Sequence, residues 1–316
     1  MRIFCIYIRS TVKLSVIRLY LAHMAQAGQR FQRIRRRHKL LGLLRLFRLP
    51  NLMLIFAGQL LVIWKFPVRE DFFLLLQKPD LWMLLLATQA AAAGGYILND
   101  YHDVKIDLVN KPGRVVVGRL VTRRKALFSY MLLTAFALAA GLTAGKKEGL
   151  VVMISCGMLW LYSARLKCVP LAGNLLVAAM VAVSLFLPSM CFEADKQLLF
   201  QFCQFALLSN LIREVVKDME DMRGDAQHSC RTFPVAFGLP ACRKLMNTAG
   251  ILLLLNFLFL APELKTTGLL ILPATMIPFG YFLIRLQKAD KKKDFSQLSH
   301  LLKWAMLAGM TGFLLI

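Results

Sequence analysis

The chain reads as an all-α, multi-pass membrane protein with nine transmembrane helices, on three observations. Hydrophobic residue types make up 58% of it and the mean hydropathy is +0.59, far above an ordinary soluble domain. The apolar residues recur in long stretches. The basic residues crowd into alternate gaps between those stretches. A large soluble helical core is the competing reading, and the basic pattern disfavours it.

In order, the apolar stretches run 49–66, 81–99, 126–144, 149–163, 171–192, 198–212, 245–262, 266–286 and 300–316. A hydrocarbon core about 30 Å thick takes about 20 apolar residues in a helix, and several stretches meet that length. Those at 149–163 and 198–212 are short and must borrow flanking residues, tilt or be interrupted. With nine spans, residues 1–48 share one side with the gaps near 99–125, 164–170, 213–244 and 285–303. That side holds 33 of the 40 Lys and Arg residues. By the positive-inside rule it is cytoplasmic.

The net charge of +23 does not indicate nucleic-acid binding. The basic residues adjoin apolar spans, where anionic lipid headgroups attract them, and no helix-turn-helix, finger or RNP-like pattern is present. Membrane lipids are the expected partners of these loops. The seven cysteines are scattered, without CxxC spacing, and read as small packing residues in a reduced compartment rather than a disulfide frame or zinc site.

Residues 1–42 form a basic N-terminal extension, and no Asp or Glu precedes Glu70. Residues 1–23 are mildly apolar but broken by Arg2, Arg9, Lys13 and Arg18, too interrupted to span a bilayer. An interfacial or disordered segment is the expectation. A transit peptide, or an extension upstream of a start at Met24, also fits.

Two acidic clusters carry the chemistry. Asp100, Asp103 and Asp107 follow Asn99 at the end of the second apolar stretch, and Asp218, Asp221 and Asp225 lie after the sixth. Both read D-x2-D-x3-D, a spacing that puts three carboxylates on one face of a helix. Like charges so arranged repel unless a multivalent cation lies between them. Carboxylates with no softer ligand nearby suit Mg2+, which keeps waters and bridges phosphates. The pair of clusters therefore suggests a diphosphate held through magnesium.

These motifs resemble the UbiA superfamily of intramembrane prenyltransferases over about residues 43–316. The first signature, N-D-x-x-D-x-x-x-D, matches Asn99, Asp100, Asp103 and Asp107. The second, D-x-x-x-D, matches Asp221 and Asp225, with Asp218 one turn earlier. The resemblance implies nine helices around a membrane-facing cavity and an allylic prenyl diphosphate as donor. It implies Mg2+ held by Asn99, Asp100, Asp103, Asp107, Asp218, Asp221 and Asp225, with Asp103, Asp107, Asp221 and Asp225 as the catalytic set. Arg114, Arg213, Lys217, Lys105, Lys167 and Arg48 become candidates for the diphosphate oxygens, since a nearby cation can hold them. Glu214 is a candidate ligand or acceptor-site group, Gly224 a source of backbone freedom beside Asp225, and Tyr162 an interfacial anchor, with a place lining the mouth as the alternative. His102 occupies a slot often aromatic in the family and is not expected to act as a base.

Asn110-Lys111-Pro112-Gly113-Arg114, Arg213-Glu214 and Gly173-Asn174 are similar to the branch that prenylates glycerol-phosphate lipids, the geranylgeranylglycerol-phosphate geranylgeranyltransferases. That branch usually continues Arg-Pro-x-x-Ser-Gly, whereas here Arg114 precedes Val115-Val116-Val117-Gly118. A lipid acceptor such as geranylgeranylglyceryl phosphate is expected, with an aromatic acceptor (4-hydroxybenzoate or a naphthoate) as the alternative. A multi-span transporter is the competing class, but transporters place ionisable groups near mid-membrane, not at one face.

Overall fold

The apolar stretches fold as helices. The computed structural model describes Gly42, residues 44–260 and residues 266–314. Among these residues the elements are α-helices, short 3-10 turns and two isolated bridges, with no strand. In chain order they are α1 Leu49–Lys65, the short α2 Phe72–Leu75, α3 Pro79–His102, the short α4 Val104–Asn110, α5 Arg123–Ala144, α6 Lys146–Ala164, α7 Ala172–Phe186, α8 Lys196–Gln227, α9 Phe233–Leu260, α10 Thr266–Gln287 and α11 Lys292–Leu314. Each predicted stretch falls on one of the long helices. Three of these, α3, α5 and α7 with its 3-10 continuation to Cys191, are long and apolar enough to cross a membrane. The two short stretches gain length as expected: α6 runs 19 residues, and α8 runs 32 and continues past its apolar part through the second acidic motif.

Local chemistry marks the helix starts. The side chains of Asp71, Thr122 and Asp195 accept the backbone N–H groups of Phe73, Lys125 and Leu198 at 3.1, 3.4 and 3.0 Å, satisfying donors that the first turn leaves free. Proline opens α1 and α3, where a missing N–H costs nothing. Gly238, at φ 75°, kinks α9 just before Pro240.

Packing arranges the helices around an interior space. α3 packs on α5 and α6, α7 on α8 and α1, α8 on α9 and α11, and α11 returns to touch α1. The largest apolar cluster joins α1, α7, α8 and α9–α11, and a second joins α3, α5 and α6. The exterior is apolar too, since Phe128, Met131, Leu132 and Leu142 of α5 and Trp304 of α11 all face outward. Such continuous apolar surface suits lipid. Gln59 shows how a buried polar side chain is satisfied, since burial without a partner is costly. Gln59, fully buried, donates to the Ser184 carbonyl at 2.9 Å and accepts from Gln89 at 3.1 Å.

One expectation is corrected. Cys168 and Cys230 form a disulfide, their Cα atoms 4.6 Å apart across 62 residues of sequence. Cys156, Cys191, Cys203 and Cys242 are free and half-buried or buried, as packing residues should be. Scattered spacing concealed the pair because the fold, not the local sequence, brings its two loops together. Cys5, the arginine-rich run before residue 40, Met24 and Ile316 lie outside the described residues.

Candidate functional site

Both acidic motifs lie beside the polar mouth of one cavity. The cavity measures about 520 Å3 and is walled by α1, α3, α6, α7, α8 and α11. Its walls are largely apolar, with Val152, Val181, Leu185, Phe202, Phe205, Met306 and Met310 among them. Arg48, Asn99, Tyr162, Arg213, Glu214, Lys217 and Lys303 supply its charged and polar lining.

The first motif straddles a helix break. α3 ends at His102, and Asp103 caps both that end and the start of α4. Asp100, Asp103 and Asp107 therefore do not share one unbroken helix. Asn99 donates its amide to Asp103 at 2.6 Å, and the Lys167 ammonium also pairs with Asp103. Arg48 donates to Asp100 at 2.7 Å and lies 5.1 Å over the Tyr96 ring. Lys167 sits on the 3-10 turn Leu166–Cys168, seated against α7 at Gly173. A Cβ on Gly173 would lie 2.8 Å from the Leu166 carbonyl and 3.1 Å from Lys167 Cα, so only glycine admits this turn. It would also lie 3.2 Å from Tyr162, which lines the cavity mouth and is not merely an outer anchor.

The second motif rides on the unbroken last turns of α8. Asp218 accepts from Asn174 at 2.7 Å, Asp221 from Lys111 at 2.6 Å and Asp225 from the Thr232 hydroxyl at 3.2 Å. Glu214 is buried and takes both Arg213 and Lys217 at 3.0 Å, so it positions two cations rather than standing open. Gly224 is helical, which corrects the expectation of backbone freedom. Its N–H donates to Asn110 Oδ1 at 3.0 Å, and a Cβ there would collide with the Asn110 side chain. Close approach explains this glycine. Through Lys111 and Asn110, residues that follow the first motif are fastened to the second.

Two residues weighed from the sequence face outward. Lys105 is exposed on α4, and His102 is also exposed, its ring against Tyr101. The side chain of Arg114 lies outside the described residues. Val116 and Val117 are buried against Leu46, Ile97 and Ala126, so the segment after Arg114 is packing. Sequence reasoning missed Lys303, Tyr96 and Thr232. For Lys303 the available signal was a lone cation on an otherwise apolar helix face.

Among the described residues, no three Asp, Glu, His or Cys side chains share one coordination point. Asp100, Asp103, Asp218, Asp221 and Asp225 instead each take a cationic, amide or hydroxyl partner. The donor chemistry still fits a hard cation. Asp221 Oδ1 is buried without a partner. Burial raises the Asp107 carboxyl above its usual range, with repulsion from Asp103 adding to it. Burial likewise pushes Asp225 up to about 6, and Asp221 adds to this. Desolvated carboxylates that repel one another are relieved by a divalent ion, and an all-oxygen donor set is what Mg2+ prefers. Asn99, Asp103, Asp107, Asp218, Asp221 and Asp225 carry oxygens that could serve such an ion, while Arg48, Lys167 and Lys111 engage Asp100, Asp103 and Asp221.

Known proteins agree with this architecture. The UbiA prenyltransferase family matches residues 50–307. The digeranylgeranylglyceryl phosphate synthase of Methanospirillum hungatei JF-1 is 32% identical over 74% of this chain and 85% of its own length. That of Methanobrevibacter smithii is 29% identical over 73% of this chain and 84% of its own. A solved structure described as digeranylgeranylglyceryl phosphate synthase in membranes covers 87% of this chain and 97% of its own, with TM-score 0.67 and 21% identity. A UbiA homolog from Archaeoglobus fulgidus bound to GPP and Mg2+ covers 86% and 99%, with TM-score 0.63 and 13% identity. The two structures speak to the fold, whereas the sequence match spans most of the chain. The chain belongs to the UbiA prenyltransferase family.

Proposed function

We propose that this protein transfers a prenyl group, in a Mg2+-dependent reaction, from an allylic prenyl diphosphate to a glycerol-phosphate lipid such as geranylgeranylglyceryl phosphate. One observation carries the reading: two acidic motifs of equal spacing, fastened to each other, flank the polar mouth of an apolar cavity. Bound Mg2+ would act as a Lewis acid, neutralising charge on the departing pyrophosphate. Asn99, Asp100, Asp103, Asp107, Asp218, Asp221 and Asp225 form the proposed metal shell, with Asp100 the member engaged by Arg48. Asp103, Asp107, Asp221 and Asp225 are its catalytic core. Lys167, Arg48, Arg213 and Lys217 hold diphosphate oxygens, with Arg114 and the exposed Lys105 as further candidates. The apolar wall receives the isoprenoid tail and excludes water, so that the allylic cation meets the acceptor hydroxyl rather than solvent.

Residues 43–316 constitute the catalytic domain in this reading, with nine spans and the mouth on the cytoplasmic side. The bias of 33 basic residues against 7 supports that orientation. The names of the sequence relatives support the acceptor. Purified protein is to be incubated with a matrix of labelled prenyl diphosphates and acceptors, with Mg2+ or EDTA, and the lipids extracted for mass spectrometry. Mg2+-dependent product from geranylgeranylglyceryl phosphate is expected. Product from 4-hydroxybenzoate or a naphthoate alone would overturn the acceptor.

A further inference from the structure

Cys168 and Cys230 join the two loops that serve the two acidic motifs. Cys168 directly follows Lys167, the partner of Asp103. The Cys230 N–H donates to the Asp225 carbonyl at 2.9 Å, and Thr232, two residues on, donates to the Asp225 carboxylate. The disulfide thus runs from a partner of the first motif to the segment that holds the second. Both loops carry strain beside it. Leu171 and Ser229 sit at φ 65° and 56°, a left-handed region that non-glycine residues occupy only where the surroundings hold them. Cys168 is exposed whereas Cys230 is buried, so an attacking thiolate has access to one sulfur of the bond.

We propose that Cys168 and Cys230 are positioning residues. Their disulfide keeps Lys167 on Asp103, and opening it weakens the binding of prenyl diphosphate, which makes transfer responsive to thiol redox state. A dithiol reductant attacks the Cys168 sulfur, breaks the S–S bond through a mixed disulfide and closes its own ring, leaving two protein thiols. Oxidised glutathione reverses this, taking two electrons as the thiols lose two protons and becoming two molecules of glutathione. Gly173 seats the Lys167 turn from the other side, so reduction loosens the lysine without releasing it. The effect should therefore fall on KM and leave kcat nearly unchanged. The inference rests on reading the mouth as the diphosphate site.

The full-length protein in detergent is to be treated with oxidised glutathione or with dithiothreitol. Maleimide mass tagging under denaturing conditions then counts its thiols, and kinetics are taken for the prenyl diphosphate. The oxidised protein should show two fewer thiols, and reduction should raise KM several-fold. Cys168→Ser and Cys230→Ser should show the raised KM in both states. Lys167→Ala should also raise KM but lose the redox response, an outcome that a merely structural disulfide would not give. Equal thiol counts, equal KM in both states, or a full redox response in Lys167→Ala each overturns the proposal while leaving the prenyl-transfer reading intact. Absence of transfer in either state, with the disulfide counted as present, overturns that reading and this proposal with it.

Discussion

The two acidic motifs share one spacing and serve one mouth, yet the chain builds them differently. Asp100, Asp103 and Asp107 straddle the break between α3 and α4, while Asp218, Asp221 and Asp225 stand on a single helix. Each motif buries one carboxylate most deeply, Asp103 at 4% exposure and Asp225 at 3%. Their partners differ in proportion. Asp100 and Asp103 meet the cations Arg48 and Lys167, whereas in the second motif Asp221 meets the cation Lys111 and Asp218 and Asp225 meet the neutral Asn174 and Thr232. A broken helix lets Asp107 be aimed separately from Asp103, while a continuous one fixes its three carboxylates at helical spacing. Identical spacing therefore does not give identical electrostatics; the tertiary partners do.

The largest effects should come from neutralising either motif. Asp103→Asn and Asp221→Asn should each lower prenyl transfer by roughly 100- to 1,000-fold while the protein still inserts and elutes normally, because each removes charge from the proposed metal shell. If one variant kept near-full activity, the motifs would not be equal partners. Lys167→Ala comes next. Losing a charged hydrogen bond of about 1.5 kcal/mol should raise KM for the diphosphate about tenfold.

Gly224→Ala tests the tie between the motifs. The added methyl meets Asn110, and overpacking of this kind costs about 1–3 kcal/mol. Thermal unfolding in detergent should shift down, and Asn110→Ala in the same chain should recover part of the loss. Recovery by a substitution 114 residues away in sequence would establish the contact.

The raised carboxyls give a pH dependence of defined sign. Asp225 is pushed up to about 6, against about 4 when unfolded, so between those values the folded chain holds protons that the unfolded chain has lost. In EDTA, stability should fall as pH rises through that window. Added Mg2+ should therefore stabilise the protein more at pH 7.5 than at pH 5. Equal Mg2+ shifts at both pH values would argue against metal binding by these carboxylates. The smallest effect is expected from Lys105→Ala, which removes an exposed charge and should change kinetics less than about twofold.

Much of this was legible in consecutive residues. Hydropathy located the helices, and spacing alone marked both motifs and proposed a hard cation between them. The break at Asp103 was not legible, since Val104 to Asn110 resumes a helix with no proline or glycine to mark the interruption. Nor was the pairing of Lys111 with Asp221, which spans 110 residues, or the role of Gly224, which looks like any flexible glycine until Asn110 is set against it. Lys303 read as part of a basic loop and proved to line the cavity.

By itself the sequence determined the helices, their apolar exterior and the chemistry of the two motifs. Those follow from the length, hydropathy and charge of neighbouring residues, which act locally. Tertiary structure alone decided which cation meets which carboxylate, which glycine must stay small and which two of the described cysteines join. Such pairings depend on how distant helices pack, and helix packing is set by the summed burial of many side chains rather than by any short run of them.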